Sequence, residues 1–498
     1  MQGLLLDSDY LKYRNSPCMR LFIKSEGEIF TVLDPNFRHY FFASSQNPQE
    51  LAESLEDVEG DWRGEDVKPL STEVVEKKNL GEVEEVVKIT VDNPLHITPL
   101  RKEIWNRPDV DDVFEHDIPP ARRYLIDHGL TSMSGVKVEG EFKGDKSDRK
   151  IIATKPPESV EDVDEDINIM SFDIEVYNPE GEPRSEEDPV IMLSIVNNQG
   201  FEKVLTWKDF DSDEDFVEVV SDEKELLERF VQIVRDQNFD VITGYNTDLF
   251  DFPYLEDRAE ELGVKLNLGR HGEEISSRRR RFDTVTKVPG RPHIDVYAMV
   301  DFLSRIGAIR LIDYKLENVY EHMLDKTKPD IKKDDISVAW DKGGEEARKL
   351  LEYSLSDSQA SLDLAIEIFP LVSELSRTVK QSLFDVSRMT PGQLVEWLLV
   401  FRAHEDGELV PARPIGDEYK RRRGNSYVGG YVKEPDKGFK LNSVIESKED
   451  AKKILNELFK MNPKEEAVAM ITLDITDRIN GLAVLREHKE SKGTVLAF

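Results

Sequence analysis

The stretch Ser171-Phe172-Asp173-Ile174-Glu175 joins a strand-like apolar sequence to two carboxylates that are one residue apart. The mostly apolar run 167–172 leads into it, and side chains of a strand alternate between its two faces. Asp173 and Glu175 are therefore predicted to project from the same face, where their negative charges repel each other. An isolated pair of this kind is most simply a strand end that enters a polar turn. The alternative is a divalent metal site, because hard cations prefer carboxylate oxygens.

The composition describes a large chain with a heavily charged surface. It has 498 residues, of which 39% are hydrophobic and 34% are charged, and this length corresponds to roughly three domains. No run approaches the roughly 18 apolar residues of a membrane span, and the N-terminus lacks a signal sequence. Cys18 is the only cysteine, which excludes an internal disulfide and a cysteine metal cluster. These features predict a cytoplasmic protein with no membrane partner.

The charge balance argues against nucleic acid binding when the chain is taken as a whole. Net charge is −34, from 67 basic and 101 acidic residues. Binding is local, however, and two basic clusters occur at residues 278–281 and 420–423. Each cluster is a candidate contact with a phosphate backbone, and a solvated basic face is the alternative for residues 421–423.

The order of apolar patterns predicts a β-rich start followed by an α/β region. Residues 1–45 read as strands, and the highly charged residues 140–166 are predicted to be an irregular, solvated linking segment. Beyond them, strands alternate with helices, which favours an α/β fold. The predicted strands span residues 167–173, 190–196, 202–207 and 240–244, and the predicted helices span 222–236, 253–262, 344–376 and 392–404.

Two further features of the sequence bear on Asp173 and Glu175. In the run 244–254, Asp251 is predicted near a helix N-terminus, where its simplest role is that of an N-cap. Tyr353 and Asp357 are spaced i, i+4 in a predicted helix and therefore share one face. Alone, such a pair is usually an ordinary hydrogen-bonded pair.

Taken together, these features supply four carboxylates and one tyrosine hydroxyl. The carboxylates are Asp173, Glu175, Asp251 and Asp357, and the hydroxyl is that of Tyr353. This set suits two divalent cations about 3.5–4 Å apart, as in nucleases and polymerases. Because neither histidine nor thiolate is needed, the set favours Mg²⁺ or Mn²⁺ over Zn²⁺.

The motifs D-I-E at 173–175, N-x3-F-D-x-P-Y at 246–254 and Y-x3-D at 353–357 occur in the order of the exonuclease motifs of family B DNA polymerases. In these motifs the chain resembles that family, and within it the archaeal replicative branch. The resemblance extends over about residues 1–439. It also rests on five further stretches, at residues 5–10, 117–126, 290–297, 395–397 and 427–435.

The resemblance implies a multidomain protein of α/β and α+β class. It predicts an N-terminal domain of mixed β-structure at 1–135 and a 3′→5′ exonuclease domain of RNase H-like, DnaQ-like fold at 136–372. Within the latter, part of 325–372 would pack on the N-terminal domain. The start of a polymerase palm would follow at 373–439, and the tail 440–498 has no counterpart in the resemblance.

The resemblance also implies roles for single residues. Asp173, Glu175, Asp251 and Asp357 would be the metal ligands, and Tyr353 would orient the attacking water. Other residues would contact DNA, the first two of them at a frayed single-stranded 3′ end: Asn246, Phe250, Arg421, Arg422, Arg423, Tyr427, Gly429 and Gly430. His293 and Asp295 are predicted to be structural.

Archaeal members of the family carry a pocket that senses uracil in the template strand. Tyr10, Ile97 and Arg123 match positions of that pocket. His39 and Pro120 depart from the usual proline and aromatic residue. The departures argue against uracil sensing here.

The sequence also departs from the family after residue 439. The polymerase motifs S-L-Y-P-S, K-x3-N-x-x-Y-G and Y-G-D-T-D do not occur, and Asp474 is a poor substitute for the missing metal ligand. The leading hypothesis is therefore a proofreading half of a replicative DNA polymerase that binds primer-template DNA and a second chain with the remaining palm, fingers and thumb. The tail would dock that chain or form an ordinary surface helix and hairpin, and a sliding clamp is a further candidate partner. The alternatives are a free-standing 3′→5′ exonuclease and a truncated, non-catalytic binding product.

Overall fold

The strand-like start of the chain folds into β-structure, as the sequence predicts. The computed structural model describes residues 1–14, 16–143, 149–161, 163–210, 214–280, 283–329 and 333–414. The first strands are β1 (Gln2–Tyr13), β2 (Ser16–Ser25), β3 (Glu28–Asp34) and β4 (His39–Ser44). They are followed by α1 (Pro48–Leu55), β5 (Gly60–Trp62), β6 (Glu65–Val67), β7 (Ser71–Asn79), β8 (Glu82–Val91), a 3₁₀ turn (Pro94–His96), α2 (Ile97–Trp105), β9 (Asp112–Phe114) and α3 (Pro120–Asp127).

Four short strands continue the β-structure of this region after α3. They are β10 (Gly135–Lys137), β11 (Gly140–Phe142), β12 (Lys150–Ala153) and β13 (Glu158–Ser159). The seven-stranded sheet has the order β11-β12-β3-β2-β1-β10-β13, and a four-stranded sheet has the order β7-β8-β4-β9. The prediction of an irregular, solvated segment over residues 140–166 is therefore wrong for much of its described part. Its charge conceals a short alternation, in which Ile151 and Ala153 are buried and Ile151 pairs with Val32.

The α/β region is built on a six-stranded mixed sheet with the order β17-β16-β15-β14-β18-β21. Its strands are β14 (Ile169–Val176), β15 (Val190–Asn197), β16 (Glu202–Thr206), β17 (Val217–Val219), β18 (Val241–Gly244) and β21 (His293–Asp295). A separate hairpin is formed by β19 (Ser276–Arg280) and β20 (Asp283–Lys287). β14 lies inside the sheet, antiparallel to β15 and parallel to β18. Residues 171–175 therefore lie in an interior strand of this sheet.

The described helices of this region are α4 (Glu223–Asp236), α5 (Asp251–Leu262), α6 (Val296–Arg305), α7 (Leu316–Leu324), α8 (Lys333–Lys342), α9 (Gly344–Val379), α10 (Leu383–Val386) and α11 (Pro391–Asp406). Four of them, α4, α5, α9 and α11, agree with the predicted ones to within a few residues, and the other four were not predicted. Asp222 caps α4 by accepting a hydrogen bond from the Glu225 N–H. The 36 residues of α9 extend over about 54 Å. This single helix is long enough to span the sheet and to continue beyond it.

An aromatic core lies on the face of β14 opposite the carboxylates. Phe172 is fully buried, with its ring centroid 5.4 Å from that of Phe230 and 5.1 Å from that of Phe252. Since the two faces of a strand alternate, burial of Phe172 and Ile174 on this side directs Asp173 and Glu175 to the other. Burying a side chain of this size contributes about 2–3 kcal/mol.

Serines bring α9 close to the sheet. The Ser194 hydroxyl of β15 donates to the Ser354 carbonyl oxygen at 2.8 Å and lies 2.7 Å from the Ser358 hydroxyl of α9. Small side chains at this contact allow the helix backbone to approach the strands. As a result, the turn of α9 that carries Tyr353 and Asp357 lies beside β14 and β15.

The segment after α11 returns to the β-rich region. The Leu409 N–H donates to the Lys78 carbonyl oxygen at 2.7 Å, and the Lys78 N–H donates to the Gly407 carbonyl oxygen at 2.9 Å. Residues 1–413 form one compact unit. Among the helices that the structure describes, none has both the length and the apolar character needed to cross a membrane.

Candidate metal centre

Three of the predicted ligands meet at one point between β14 and α9. One carboxylate oxygen from each of Asp173, Glu175 and Asp357 lies within 4.8 Å of the others. Glu175 and Asp357 are buried, and Asp173 is half-buried. The strand alternation predicted for Asp173 and Glu175 is confirmed. The position of Asp357 depends on the close packing of α9 against the sheet.

The fourth predicted ligand, Asp251, is the first residue of α5 rather than its cap. Phe250 precedes the helix and makes no capping hydrogen bond, so the N-cap interpretation of Asp251 is wrong. The Asp251 side chain is buried, and its Oδ1 has no hydrogen-bond partner within the described part of the chain. Burial, together with the charge of Asp295, raises the pKa of Asp251 to about 7.

The charges of the neighbouring carboxylates act most strongly on Asp173. The pKa of Asp173 is well above its usual range, first because of burial and then because of the charges of Asp251, Glu175 and Asp357. Burial also raises the pKa of Asp357, against the opposing charge of Lys328. Such a cluster is electrostatically unfavourable by itself, and a bound cation would reverse the sign of these interactions.

Lys328 is a site residue that the sequence analysis missed. Its Nζ lies 2.6 Å from Asp357 Oδ1 and 4.7 Å from the centre of the Tyr353 ring, and its side chain is only 4% exposed. A buried lysine is unusual unless it is paired. Lys328 precedes Pro329 in a connection between α7 and α8, far from the motifs in sequence. Its only sequence signal is membership of a lysine-rich run, Lys326-Thr327-Lys328, which is typical of any exposed loop.

The Tyr353 hydroxyl lies within this group of charges. Its pKa is raised, first by burial and then by the carboxylates of Glu175, Asp357 and Asp173. The hydroxyl therefore stays protonated at neutral pH and can donate a hydrogen bond. Its position one helical turn before Asp357 agrees with the predicted spacing.

Comparison with known proteins decides the class of this domain. A family model described as DNA polymerase family B, exonuclease domain, matches residues 111–319. Over this range the chain is similar to the exonuclease domain of family B DNA polymerases. Asp173, Glu175 and Asp251 lie inside the matched range, and Tyr353 and Asp357 lie after it.

Curated archaeal relatives extend the likeness beyond the family B exonuclease domain. The DNA polymerase of Pyrococcus glycovorans is 38% identical over 435 residues, which are 87% of this chain and 51% of that protein. A DNA polymerase of Thermococcus litoralis is 37% identical over 443 residues, 89% of this chain and 24% of that protein. The chain therefore spans about half or less of the length of these relatives.

A solved structure has the same arrangement of elements. The family B DNA polymerase from the hyperthermophilic archaeon Pyrobaculum calidifontis matches with a TM-score of 0.73 and 28% identity. The match covers 84% of this chain and 52% of that one. The mixed sheets and helices described above are consistent with the fold of that polymerase over the matched span.

In the family B exonuclease domain, the predicted contacts with a DNA end lie on the loop between β18 and α5. Asn246 has a positive φ of 66°, and Phe250 packs its ring 5.5 Å from that of Tyr254. Gly244 permits the turn, because a Cβ there would lie 2.8 Å from the Phe172 carbonyl oxygen of β14. The loop thus leaves the end of β18, the strand that pairs with the carboxylate-bearing β14.

Asp295 and His293, predicted to be structural, both bond to protein groups. Asp295 accepts hydrogen bonds from the backbone N–H groups of Asn246, Asp248 and Tyr297 at 2.9–3.0 Å. His293 is fully buried, and its Nε2 lies 2.8 Å from the Thr247 hydroxyl. These contacts agree with a structural role for both residues.

The three predicted uracil-pocket residues differ in exposure. Tyr10 is 38% exposed on β1, whereas Ile97 is buried at the start of α2. Arg123 is 1% exposed, with its Nη1 2.6 Å from Glu115 Oε2 and its guanidinium 4.5 Å from the centre of the Tyr40 ring. A template base at these positions would have to compete with the ion pair between Arg123 and Glu115. Their role in uracil sensing stays a prediction.

The remaining predicted DNA contacts lie outside the described residues. They are Arg421, Arg422, Arg423, Tyr427, Gly429 and Gly430, together with the whole tail 440–498 and Asp474.

Proposed function

We propose that this chain supplies the metal-dependent 3′→5′ exonuclease of a family B DNA polymerase that acts in DNA replication in the cytoplasm. The observation that carries the proposal is the convergence of Asp173, Glu175 and Asp357 within 4.8 Å. Asp173 and Glu175 lie on a strand within the range matched by the exonuclease family model, and Asp357 reaches them from α9. The alternative of an isolated strand-end pair does not account for a third carboxylate from α9.

The donor set fits two divalent cations of the Mg²⁺ or Mn²⁺ type. It consists of oxygen ligands, and Asp251 contributes a buried carboxylate oxygen that has no hydrogen-bond partner among the described residues. Asp173, Glu175, Asp251 and Asp357 would hold the ions. When bound, such ions activate water and stabilise the leaving oxygen of an in-line phosphoryl displacement.

Two side chains would complete the chemistry. The protonated Tyr353 hydroxyl can donate a hydrogen bond that orients the attacking water at the scissile phosphate. The Lys328 ammonium, held by Asp357, supplies a positive charge where the DNA phosphate would enter. Neither group has to change its protonation state to act in this way.

The loop between β18 and α5 would receive the single-stranded 3′ end. Phe250 offers an aromatic ring for stacking on a base, and Asn246 offers polar groups next to it. Single-stranded ends would be favoured because their bases are free to leave the stack and lie against a protein ring. Arg421, Arg422, Arg423, Tyr427, Gly429 and Gly430 are proposed to contact the DNA backbone further along.

Chelation of divalent cations should abolish exonuclease activity. We expect the purified chain to shorten a 5′-labelled single-stranded oligonucleotide in Mg²⁺ or Mn²⁺ and to lose at least about 10³-fold of its rate in EDTA. Product ladders on denaturing gels measure the rate. An oligonucleotide with a blocked 3′ end is the control, and it should stay intact. Cleavage that persists in EDTA, or the absence of metal-dependent cleavage, would overturn the proposal.

We further propose the domain division implied by the resemblance. An N-terminal domain would span 1–135, an RNase H-like exonuclease domain 136–372 and the start of a palm 373–439, with 440–498 as a tail. The six-stranded sheet flanked by α4, α5 and α9 supports the RNase H-like assignment. Its antiparallel β14–β15 and β15–β16 pairings and its parallel β14–β18 pairing are of the mixed kind expected for that fold.

Polymerisation is proposed to need more than this chain. It spans about half of the Pyrococcus glycovorans relative and lacks the three polymerase motifs in its sequence. We therefore expect no primer extension by the chain alone, under conditions in which it degrades single-stranded 3′ ends. A labelled primer-template with all four deoxynucleotides and Mg²⁺ provides the measurement. Extension by the isolated chain would refute the need for a second chain with the rest of the palm, the fingers and the thumb. A sliding clamp remains a candidate partner of the complete enzyme.

A further inference from the structure

The loop of residues 245–250 leads directly into Asp251 and is held by a buried polar network. The backbone N–H groups of Asn246 and Asp248 donate to the two oxygens of the Asp295 carboxylate at 2.9 and 3.0 Å. Asp295 belongs to β21, next to β18 in the sheet. This half of the network anchors the loop to the sheet itself.

The second half of the network reaches a distant segment of the chain. Asp248 Oδ1 accepts a hydrogen bond from the Thr286 N–H at 2.9 Å, and its Oδ2 accepts one from Arg388 Nε at 2.6 Å. Arg388 lies 140 residues after Asp248, between α10 and α11. The Asp248 carboxylate therefore joins the loop, the β19–β20 hairpin and the segment that leads into α11.

Arg388 also fixes the histidine beneath the loop. Its Nη1 donates to the His293 carbonyl oxygen at 2.7 Å, and its Nη2 lies 2.9 Å from His293 Nδ1. His293 Nδ1 also lies 3.0 Å from the Thr286 carbonyl oxygen, and its Nε2 lies 2.8 Å from the Thr247 hydroxyl. Thr247 and Asp248 are adjacent in the loop, and Arg388 restrains both.

We propose that Arg388 is a positioning residue of the exonuclease site, which holds the loop of residues 245–250 in place through Asp248 and His293. Its side chain is only 5% exposed, so it cannot contact DNA freely and must act through these partners. The inference rests on the proposed exonuclease function, because the loop is the segment proposed to receive the DNA 3′ end. Loosening it would disturb Asn246 and Phe250 together and weaken the binding of the DNA end.

The test uses the full chain and the variants Arg388→Gln, Arg388→Lys and Asp248→Asn, assayed below the Tm of each. For degradation of a single-stranded oligonucleotide in Mg²⁺, we expect Arg388→Gln to raise KM about tenfold and to lower kcat less than threefold. Arg388→Lys should recover part of the loss. The double variant with Asp248→Asn should be no worse than the poorer single variant, since both act through one contact.

The matched control is Arg122→Gln. Arg122 forms a partly buried ion pair with Asp385 at 2.5 Å and packs 4.4 Å from the centre of the Trp397 ring. It pairs with the short helix α10, close in sequence to Arg388, and both its ion pair and its aromatic contact are with residues outside the loop of residues 245–250. We expect Arg122→Gln to lower Tm while leaving the KM for the oligonucleotide unchanged.

A second readout does not depend on activity. Hydrogen exchange of the peptide covering residues 245–251 should accelerate at least tenfold in Arg388→Gln and stay at the wild-type rate in Arg122→Gln. An unchanged KM and unchanged exchange in Arg388→Gln would overturn the inference, as would equal effects of the two variants. If the wild type lacked exonuclease activity, the proposed function would fail by that result alone. Exchange would still decide whether Arg388 positions the loop.

Discussion

We expect Asp173→Asn to lower the rate of 3′-end degradation by about 10³-fold or more and, in metal-free buffer, to stabilise the fold. The loss of activity follows because one ligand of the divalent cations is replaced by a neutral, weaker one. The gain in stability follows because the pKa of Asp173 is raised by burial and by the neighbouring carboxylates, so its negative charge is unfavourable there. Removing that charge should contribute about 1 kcal/mol to the free energy of unfolding.

Thermal unfolding with and without Mg²⁺ measures both parts of this expectation. The wild type should gain stability when Mg²⁺ is added, and Asp173→Asn should gain less, since it binds the ions more weakly. Asp61→Asn is the control, because Asp61 is an exposed aspartate on the remote β5 strand. It should leave activity and stability unchanged. A variant at Asp173 that retained wild-type activity would exclude this residue as a metal ligand.

Lys328→Met should have the opposite effect on stability. The Lys328 side chain is 4% exposed and its Nζ lies 2.6 Å from Asp357. Methionine would leave the buried carboxylates without their cationic partner, which should destabilise the metal-free protein by about 3 kcal/mol. Saturating Mg²⁺ should reduce that difference, because the ions take over the neutralising role. We also expect the rate of DNA degradation to fall roughly 10²-fold, through loss of a positive charge at the phosphate.

Lys326→Met provides a control two residues away. Lys326 pairs with Asp363 at 2.7 Å, but its side chain is 55% exposed. Exposed ion pairs contribute about 0–1 kcal/mol, so this substitution should change stability little. It should also leave the DNA degradation rate at the wild-type level. Equal losses in both variants would show that Lys328 acts through general surface charge and not through the carboxylate cluster.

Much of the local structure could be predicted because it depends on periodicity within a few residues. Alternation along 171–175 predicts that Asp173 and Glu175 share a face, and β14 shows it. The helical spacing of Tyr353 and Asp357 holds in α9. The prediction failed where charge hid a short strand at β12 and where Asp251 was interpreted as a cap. In the second case the helix begins one residue earlier than a cap would require.

The site was predicted only in part, for a physical reason. Carboxylates stand out in motifs because their type and spacing are local features of the chain. Lys328 and Arg388 act through contacts with residues far away in sequence, and nothing in their neighbourhoods distinguishes them from surface charges. Their importance comes from burial next to carboxylates, which depends on how α9 and α10 pack.

The sequence alone thus determined the identity of the carboxylates, the faces of the elements that carry them and the class of ion they suit. These properties follow from residue chemistry and from the repeats of strands and helices. Only the tertiary structure decided that the carboxylates carried by β14 and α9 come together. It also decided that Lys328 pairs with this cluster and that Arg388 restrains the adjoining loop. These contacts join residues up to 184 positions apart, as between Asp173 and Asp357. They depend on side-chain packing of whole elements, including the small serines beneath α9, and no local pattern encodes that packing.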